Sequence, residues 1–335
     1  MARLRRSSPD DPGWSRRRAG KGFVYLDERG ARLPAEEAER VKALVIPPAW
    51  EEVWICPWPN GHLQAVGTDD AGRKQYLYHP DWRAQRDAAK HVRVLELGRV
   101  LSRARERVIT DLGTAGMSCD RACAAAVRML DLGYFRIGND VYADRYGSFG
   151  LTTLQRRHVR RKGSSLVFDF VGKSGVEHEV TIDDPPTVEA LEMMRKRRAP
   201  ADVTLLAWKE RGRWHVLDAE QVNEYVRAAT GMDATAKDFR TWHATVIAAA
   251  ALAESEEPGT SKASRKRAEV AAMKEVAEFL GNTPAQARAS YVDPRIVDAY
   301  EEGRTIRSAV RRKAASPDER QTILERAVLR LLKDS

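Results

Sequence analysis

Up to about residue 90 the chain alternates short apolar runs with Pro and Gly punctuation. Residues 22–27, 52–56, 62–67 and 74–78 are rich in β-branched and aromatic side chains. They are bounded by Pro47-Pro48, Pro57-Trp58-Pro59-Asn60-Gly61 and Asp69-Asp70-Ala71-Gly72, the pattern of short strands joined by turns. A short helix is predicted over 36–44. After Arg83 the period changes. Val94, Leu97, Leu101, Ala104, Val108 and Leu112 recur at helical spacing. A second helix is predicted over 120–132, with Gly133 at its end. A β section over 153–182 interrupts, in which 165–171 and 176–182 flank Gly172-Lys173-Ser174-Gly175, a hairpin turn. From Thr187 to the end the pattern is helical, with the polar stretch 257–266 expected as a mobile connection.

These elements predict an α+β protein with a boundary near residue 90. A basic, loosely ordered arm covers 1–20, a small β-rich domain 21–90, and a larger, mainly helical domain with one β-hairpin 91–335. The arm carries Arg3, Arg5, Arg6, Arg16, Arg17 and Arg18 against Asp10 and Asp11. It has no apolar core and so is not a secretory signal, although a transit peptide would also look like this.

Charge sharpens the picture. The 335 residues include 57 Lys and Arg against 48 Asp and Glu, a formal net charge of +9. That surplus suits a protein that neutralises phosphates, although a basic protein without a nucleic-acid role would share it. No run approaches the ~20 apolar residues of a membrane span. The three cysteines, Cys56, Cys119 and Cys123, exclude a disulfide framework and point to a reducing, intracellular compartment. No His, Cys or carboxylate cluster has metal-ligand spacing. Gly172-Lys173-Ser174 resembles the end of a P-loop, but Val167 stands where the first glycine is required.

The chemistry lies in an ordered set of segments. Tyr134-Phe135-Arg136-Ile137-Gly138-Asn139-Asp140 follows a helix, and Phe170-Val171-Gly172-Lys173-Ser174-Gly175 sets a lysine at a hairpin tip. Lys237-Asp238-Phe239-Arg240-Thr241-Trp242-His243 opens a helix, and Leu280-Gly281-Asn282-Thr283-Pro284 precedes Ala289-Ser290-Tyr291-Val292-Asp293-Pro294. From about residue 20 to about 300 the chain resembles the type IB DNA topoisomerases, in particular their bacterial, poxvirus-like branch. The resemblance implies a nucleophilic Tyr291 surrounded by Arg136, Lys173, Arg240 and Asn282. Asn282 stands where most family members outside bacteria carry His, a departure the bacterial branch shares, which weakens any proton-transfer role there.

Elementary chemistry agrees with that set. Metal-free cleavage of a phosphodiester requires neutralising a phosphorane, and guanidinium forks suit its oxygens. Asn282 can add a neutral donor. Lys173 among other cations can act as a general acid toward the 5′-oxygen. The Tyr291 phenol needs cationic neighbours to ionise, since its ordinary pKa is near 10. Thr283-Pro284 and Asp293-Pro294 read as helix starts that bracket Tyr291, on a segment free to move.

By the same resemblance the partner is duplex DNA, held in a C-shaped clamp by a DNA-binding β domain and a catalytic domain. Gln75, Tyr76 and Tyr78 would contact base edges, while Tyr142, Thr153, Lys237 and Arg288 would contact phosphates. An edge strand with ordinary alternation is the alternative reading of 73–78. His243 is expected to be structural. The implied enzyme needs no cofactor, metal or ATP. It works as a monomer without an obligate protein partner or a membrane, in the cytoplasm at the nucleoid. A tyrosine recombinase would share the constellation, but such enzymes place a helical domain where residues 20–80 read as β. A non-catalytic DNA-binding protein is the third reading.

Overall fold

The structure, a computed structural model, describes residues 3–133, 135–138, 143, 147–255 and 261–333, the Ser174 side chain excepted. The chain divides into two compact units, Met1–Lys90 and His91–Ser335.

In the first unit β1 (Trp14–Ala19), β2 (Gly22–Leu26), β3 (Glu51–Ile55), β4 (Leu63–Thr68) and β5 (Lys74–Tyr78) form one sheet in the order β2-β1-β3-β4-β5. Every pairing is antiparallel. Helix α1 (Ala35–Ala43) supplies Val41 to a small core with Ile46, Val53, Ile55 and Ala65.

Residues 3–19, expected to be a loosely ordered arm, are instead built into this unit. Trp14 packs against the core. The Arg16 guanidinium donates to the carbonyls of Ile46 at 3.0 Å, Pro47 at 2.6 Å and Trp50 at 2.7 Å. Arg5 lies 3.6 Å from the Trp58 ring centroid, and the buried Ser7 hydroxyl donates to Leu63 O at 2.9 Å. The arginines that look like a solvated run thus act partly as internal ligands for loop carbonyls, which have no strand partners of their own.

Helix α2 (Pro80–Leu112) starts on proline, whose missing N–H costs nothing in a first turn, and buries the apolar stripe from Val94 to Leu112. In the second unit α3 (Cys119–Gly133) is buried on nearly every side. Strands β6 (Val159–Lys162), β7 (Ser165–Val171) and β8 (Glu177–Ile182) form an antiparallel sheet in that order. Helix α4 (Pro185–Arg195) follows. A second hairpin, β9 (Ala207–Glu210) and β10 (Arg213–Val216), then appears where a helical pattern was expected. Its tip is Arg211-Gly212, with φ of 47° and 83°, a two-residue turn whose left-handed residues match strand twist. Four-residue strands are too short to show a period of two against their surroundings.

The remaining helices are α5 (Ala219–Thr230), α6 (Ala236–Glu254), α7 (Lys262–Leu280), α8 (Pro284–Ser290), α9 (Pro294–Glu301), α10 (Arg307–Val310) and α11 (Pro317–Lys333). The connection expected over 257–266 lies outside the described residues up to 260. Beyond it α7 begins at once, because the Ser261 hydroxyl caps Ser264 N at 3.1 Å. Helix α6 is the spine of the unit, with Phe239 and Trp242 fully buried. A Cβ on Gly98 would lie 2.6 Å from the Trp242 ring, so α2 can approach α6 only with glycine there. Beneath α6, Arg105 pairs with Asp131 at 2.7 Å and Glu325 at 2.7 Å. His243 meets Asp131 at 3.0 Å, a buried network that fixes the helix from behind.

Candidate active site

Arg136, Arg240, Asn282 and Tyr291 come together at the C-terminal end of α7. A helix end leaves carbonyls without intrahelical partners and carries partial negative charge. Arg240 donates from Nη2 to Leu280 O at 2.6 Å, and Arg136 donates from Nη2 to Gly281 O at 2.9 Å and also to Asn282 Oδ1. Gly281, with φ of 59°, is the left-handed residue that closes the helix. The α7 terminus thereby orients both guanidiniums.

Each arginine is also fixed by its own chain. Arg240 lies in the second turn of α6 and is 4% exposed. Arg136 follows α3 in a segment pinned by Leu151 N, which donates to Arg136 O at 2.7 Å. Gly150 allows that approach, since a Cβ there would sit 2.5 Å from Gly138 Cα and 2.8 Å from Arg136 O.

Tyr291 ends α8 and is 9% exposed. The Thr283 hydroxyl caps α8 at Gln286 N (3.2 Å), and the Asp293 carboxylate caps α9 at Arg295 N (3.0 Å). Thr245 of α6 ties this segment down. Its hydroxyl donates to Thr241 O at 2.9 Å, lies 3.4 Å from Tyr291 O and accepts from Asp293 N at 3.2 Å. The segment expected to be free is therefore held on both sides of the tyrosine.

The Arg240 guanidinium carbon lies 5.6 Å from the Tyr291 ring centroid. Burial pushes the Tyr291 phenol up. Arg240, Arg136 and Lys237 outweigh it through their charges, with a hydrogen bond from Arg240, and hold it below its ordinary value. Burial, then the charge of Arg136, brings Arg240 down to about 10, still charged at neutral pH. Burial likewise lowers Arg136. Two half-desolvated cations beside a phenol are a site short of negative charge. The Asn282 Nδ2 donor is buried and has no hydrogen-bond partner among the described residues, so the site also holds an unused donor.

The other expected residues fall elsewhere. Lys173 is exposed on the turn between β7 and β8, with no hydrogen bond or ion pair to the four among the described residues. Lys237 is exposed at the start of α6. Arg288 pairs with the buried Glu269. Thr153 is buried, its hydroxyl accepting from Gly150 N at 2.9 Å. Tyr142 lies outside the described residues. On β5, Tyr76 and Tyr78 are exposed and stacked with centroids 6.2 Å apart. Gln75 alternates to the opposite face, where Asp69 accepts from its amide at 2.8 Å.

Sequence reasoning missed His178, the α7 carbonyls and Thr245. The carbonyls leave no sequence signal. His178 leaves one, an imidazole at an inward position of β8 between exposed Glu177 and Glu179. Burial, followed by the charges of Arg136 and Arg240, keeps that ring below its ordinary pKa.

A buried tyrosine between two oriented guanidiniums, on a helical unit that follows a β unit, defines a class of enzyme built for phosphodiester exchange. Residues 79–314 match the model of the eukaryotic DNA topoisomerase I catalytic core, and residues 22–69 match the bacterial DNA topoisomerase IB N-terminal domain. The chain belongs to this family, the type IB DNA topoisomerases, isomerases that act on DNA. It is 27% identical to DNA topoisomerase 1B of Acanthamoeba polyphaga mimivirus over 294 residues, 86% of this chain and 88% of that protein. It is 26% identical to DNA topoisomerase 1B of Vaccinia virus (strain Copenhagen) over 133 residues, 40% of each chain. To DNA topoisomerase 1 of Rabbit fibroma virus the identity is 29% over 119 residues, 35% of this chain and 37% of that one. Among the described residues no helix is long and apolar enough to cross a membrane.

Proposed function

We propose that the chain changes the topology of duplex DNA by reversible transesterification at Tyr291. The phenolate oxygen attacks a backbone phosphorus, a 3′-phosphotyrosyl bond forms, and the bond to the 5′-oxygen breaks. Arg136 and Arg240 neutralise the phosphorane oxygens, and the spare Asn282 Nδ2 donates to one of them. Preorganised donors of this kind contribute about 3–4 kcal/mol each when they favour the transition state. Lys173 delivers the proton that the 5′-oxygen needs to depart. Religation reverses each step. One phosphodiester replaces another, so neither ATP nor a metal is required.

While the strand is open, the downstream duplex swivels and releases supercoils of either sign. Tyr76 and Tyr78 on β5 contact bases. Lys237 and Tyr142 contact phosphates near the cut, as do Thr153 and Arg288 once Gly150 and Glu269, their present partners, are exchanged for DNA. The enzyme works as a monomer in the cytoplasm, at the nucleoid.

The observation that supports this reading is the Tyr291 phenol, drawn below its ordinary pKa by Arg240 and Arg136 against its own burial. The test is relaxation of supercoiled plasmid in EDTA without ATP. The native protein is expected to relax positive and negative supercoils and to leave a 3′-linked adduct when trapped, and Tyr291→Phe to do neither. Tight DNA binding without relaxation by the native protein would overturn the reading.

A further inference from the structure

The His178 ring stacks on Phe170 with centroids 5.1 Å apart and planes 18° apart, and Phe170 stacks on Phe135 at 5.7 Å and 17°. On two further sides it meets glycines. A Cβ on Gly172 would lie 2.7 Å from ring atoms Cδ2 and Nε2, and one on Gly281 would lie 2.3 Å from Cε1. Gly281 needs to be glycine for its backbone, with φ of 59°. Gly172, with φ of −92°, does not. The ring alone accounts for the missing side chain at 172.

The residues around this ring have telling neighbours. Gly172 precedes Lys173, Gly281 precedes Asn282, and Phe135 at the far end of the stack precedes Arg136. Lys173 itself is exposed on a hairpin turn. Neither ring nitrogen of His178 forms a hydrogen bond among the described residues, so the ring holds its place by shape.

We propose that His178 is a positioning residue for strand cleavage, its ring wedged between Gly172 and Gly281 so that the Lys173 turn keeps register with Arg136 and Asn282. The inference rests on reading Lys173 as the proton donor. In that step the Tyr291 oxygen bonds to phosphorus, the P–O5′ bond breaks, and the 5′-oxygen takes its proton from Lys173. With sulfur in place of the bridging 5′-oxygen, the P–S bond breaks and a thiolate departs without needing the proton.

The experiment compares single-turnover cleavage of a duplex bearing the enzyme's mapped cleavage site with the same duplex carrying a 5′-bridging sulfur. The proteins are the native chain, Lys173→Ala, His178→Ala and His178→Phe. A misplaced donor costs about 100-fold, so His178→Ala should slow the oxygen substrate about that much and leave the sulfur substrate nearly unaffected. His178→Phe keeps a planar ring and should cleave both almost as the native protein does. Equal slowing of both substrates by His178→Ala, with Lys173→Ala rescued by sulfur, overturns the positioning role alone. So does a His178→Phe as impaired as His178→Ala. A Lys173→Ala that sulfur does not rescue overturns the Lys173 reading, and the positioning role with it.

Discussion

Replacing Arg240 by lysine keeps a positive charge beside Tyr291 and removes the fork. The native side chain is 4% exposed and gives one nitrogen to Leu280 O at 2.6 Å. The rigid guanidinium can hold that carbonyl while its other N–H groups face a phosphate. An ammonium is a single point, and bonding Leu280 O takes it away from the phosphate. The loss is that of one preorganised donor, about 3–4 kcal/mol, or about 10²- to 10³-fold in rate. The charge survives, so the pull on the phenol survives too. Arg240→Ala differs in that the cation opposing the burial of Tyr291 most strongly is gone. The phenol then rises, less of it is phenolate at a given pH, and the acid limb of the cleavage profile moves to higher pH. The assay is single-turnover formation of the covalent adduct across a pH series, with urea unfolding of each variant as the control for folding. An Arg240→Lys protein that cleaves within about fivefold of the native one, or an Arg240→Ala profile that does not move, would refute the reasoning.

Three further outcomes are expected. Burial raises the Asp131 carboxyl, but Arg105 and His243 more than reverse it and hold it far below the usual range. The stability this confers is therefore complete above the unfolded pKa near 4 and is lost as pH falls toward the folded one; urea titrations should show a steeper acid loss in the native protein than in Asp131→Asn. Arg16→Ala strands the carbonyls of Ile46 and Trp50, while Pro47 O keeps Trp50 N at 3.1 Å, and should cost about 2–3 kcal/mol, read as a lower melting transition of the N-terminal unit; an unchanged melt would mean the arm contributes nothing to it. Gly150→Ala forces a Cβ against Gly138 Cα and Arg136 O, so cleavage should fall about 100-fold while plasmid binding persists, and native-like cleavage would contradict the pinning of Arg136.

The sequence by itself determined the elements whose signal is local. The stripe from Val94 to Leu112 is a helix, the Gly172–Gly175 turn joins two strands, and Thr283-Pro284 and Asp293-Pro294 start helices. Each depends on neighbours a few residues away, through side-chain period or a cap. The candidate site residues Arg136, Arg240, Asn282 and Tyr291 stood out in the sequence because their types and order resemble those of a family. Physical reading of Arg136 or Tyr291 alone would have favoured an ordinary surface pair or core residue. Tertiary structure decided the rest. The arginines at positions 5 and 16 look solvated in the chain, yet they serve carbonyls and a ring brought close by the sheet. The β9–β10 hairpin is too short for its period to stand out. The orientation of Arg136 and Arg240 comes from backbone carbonyls at 280 and 281, which have no letter in the sequence. Gly172 and His178 acquire their meaning only when folding sets Gly281, more than a hundred residues downstream, against the same ring. Local torsions and periods are written in adjacent residues, whereas a site that shifts the pKa of a phenol is made by groups distant in the chain, and only packing brings them together.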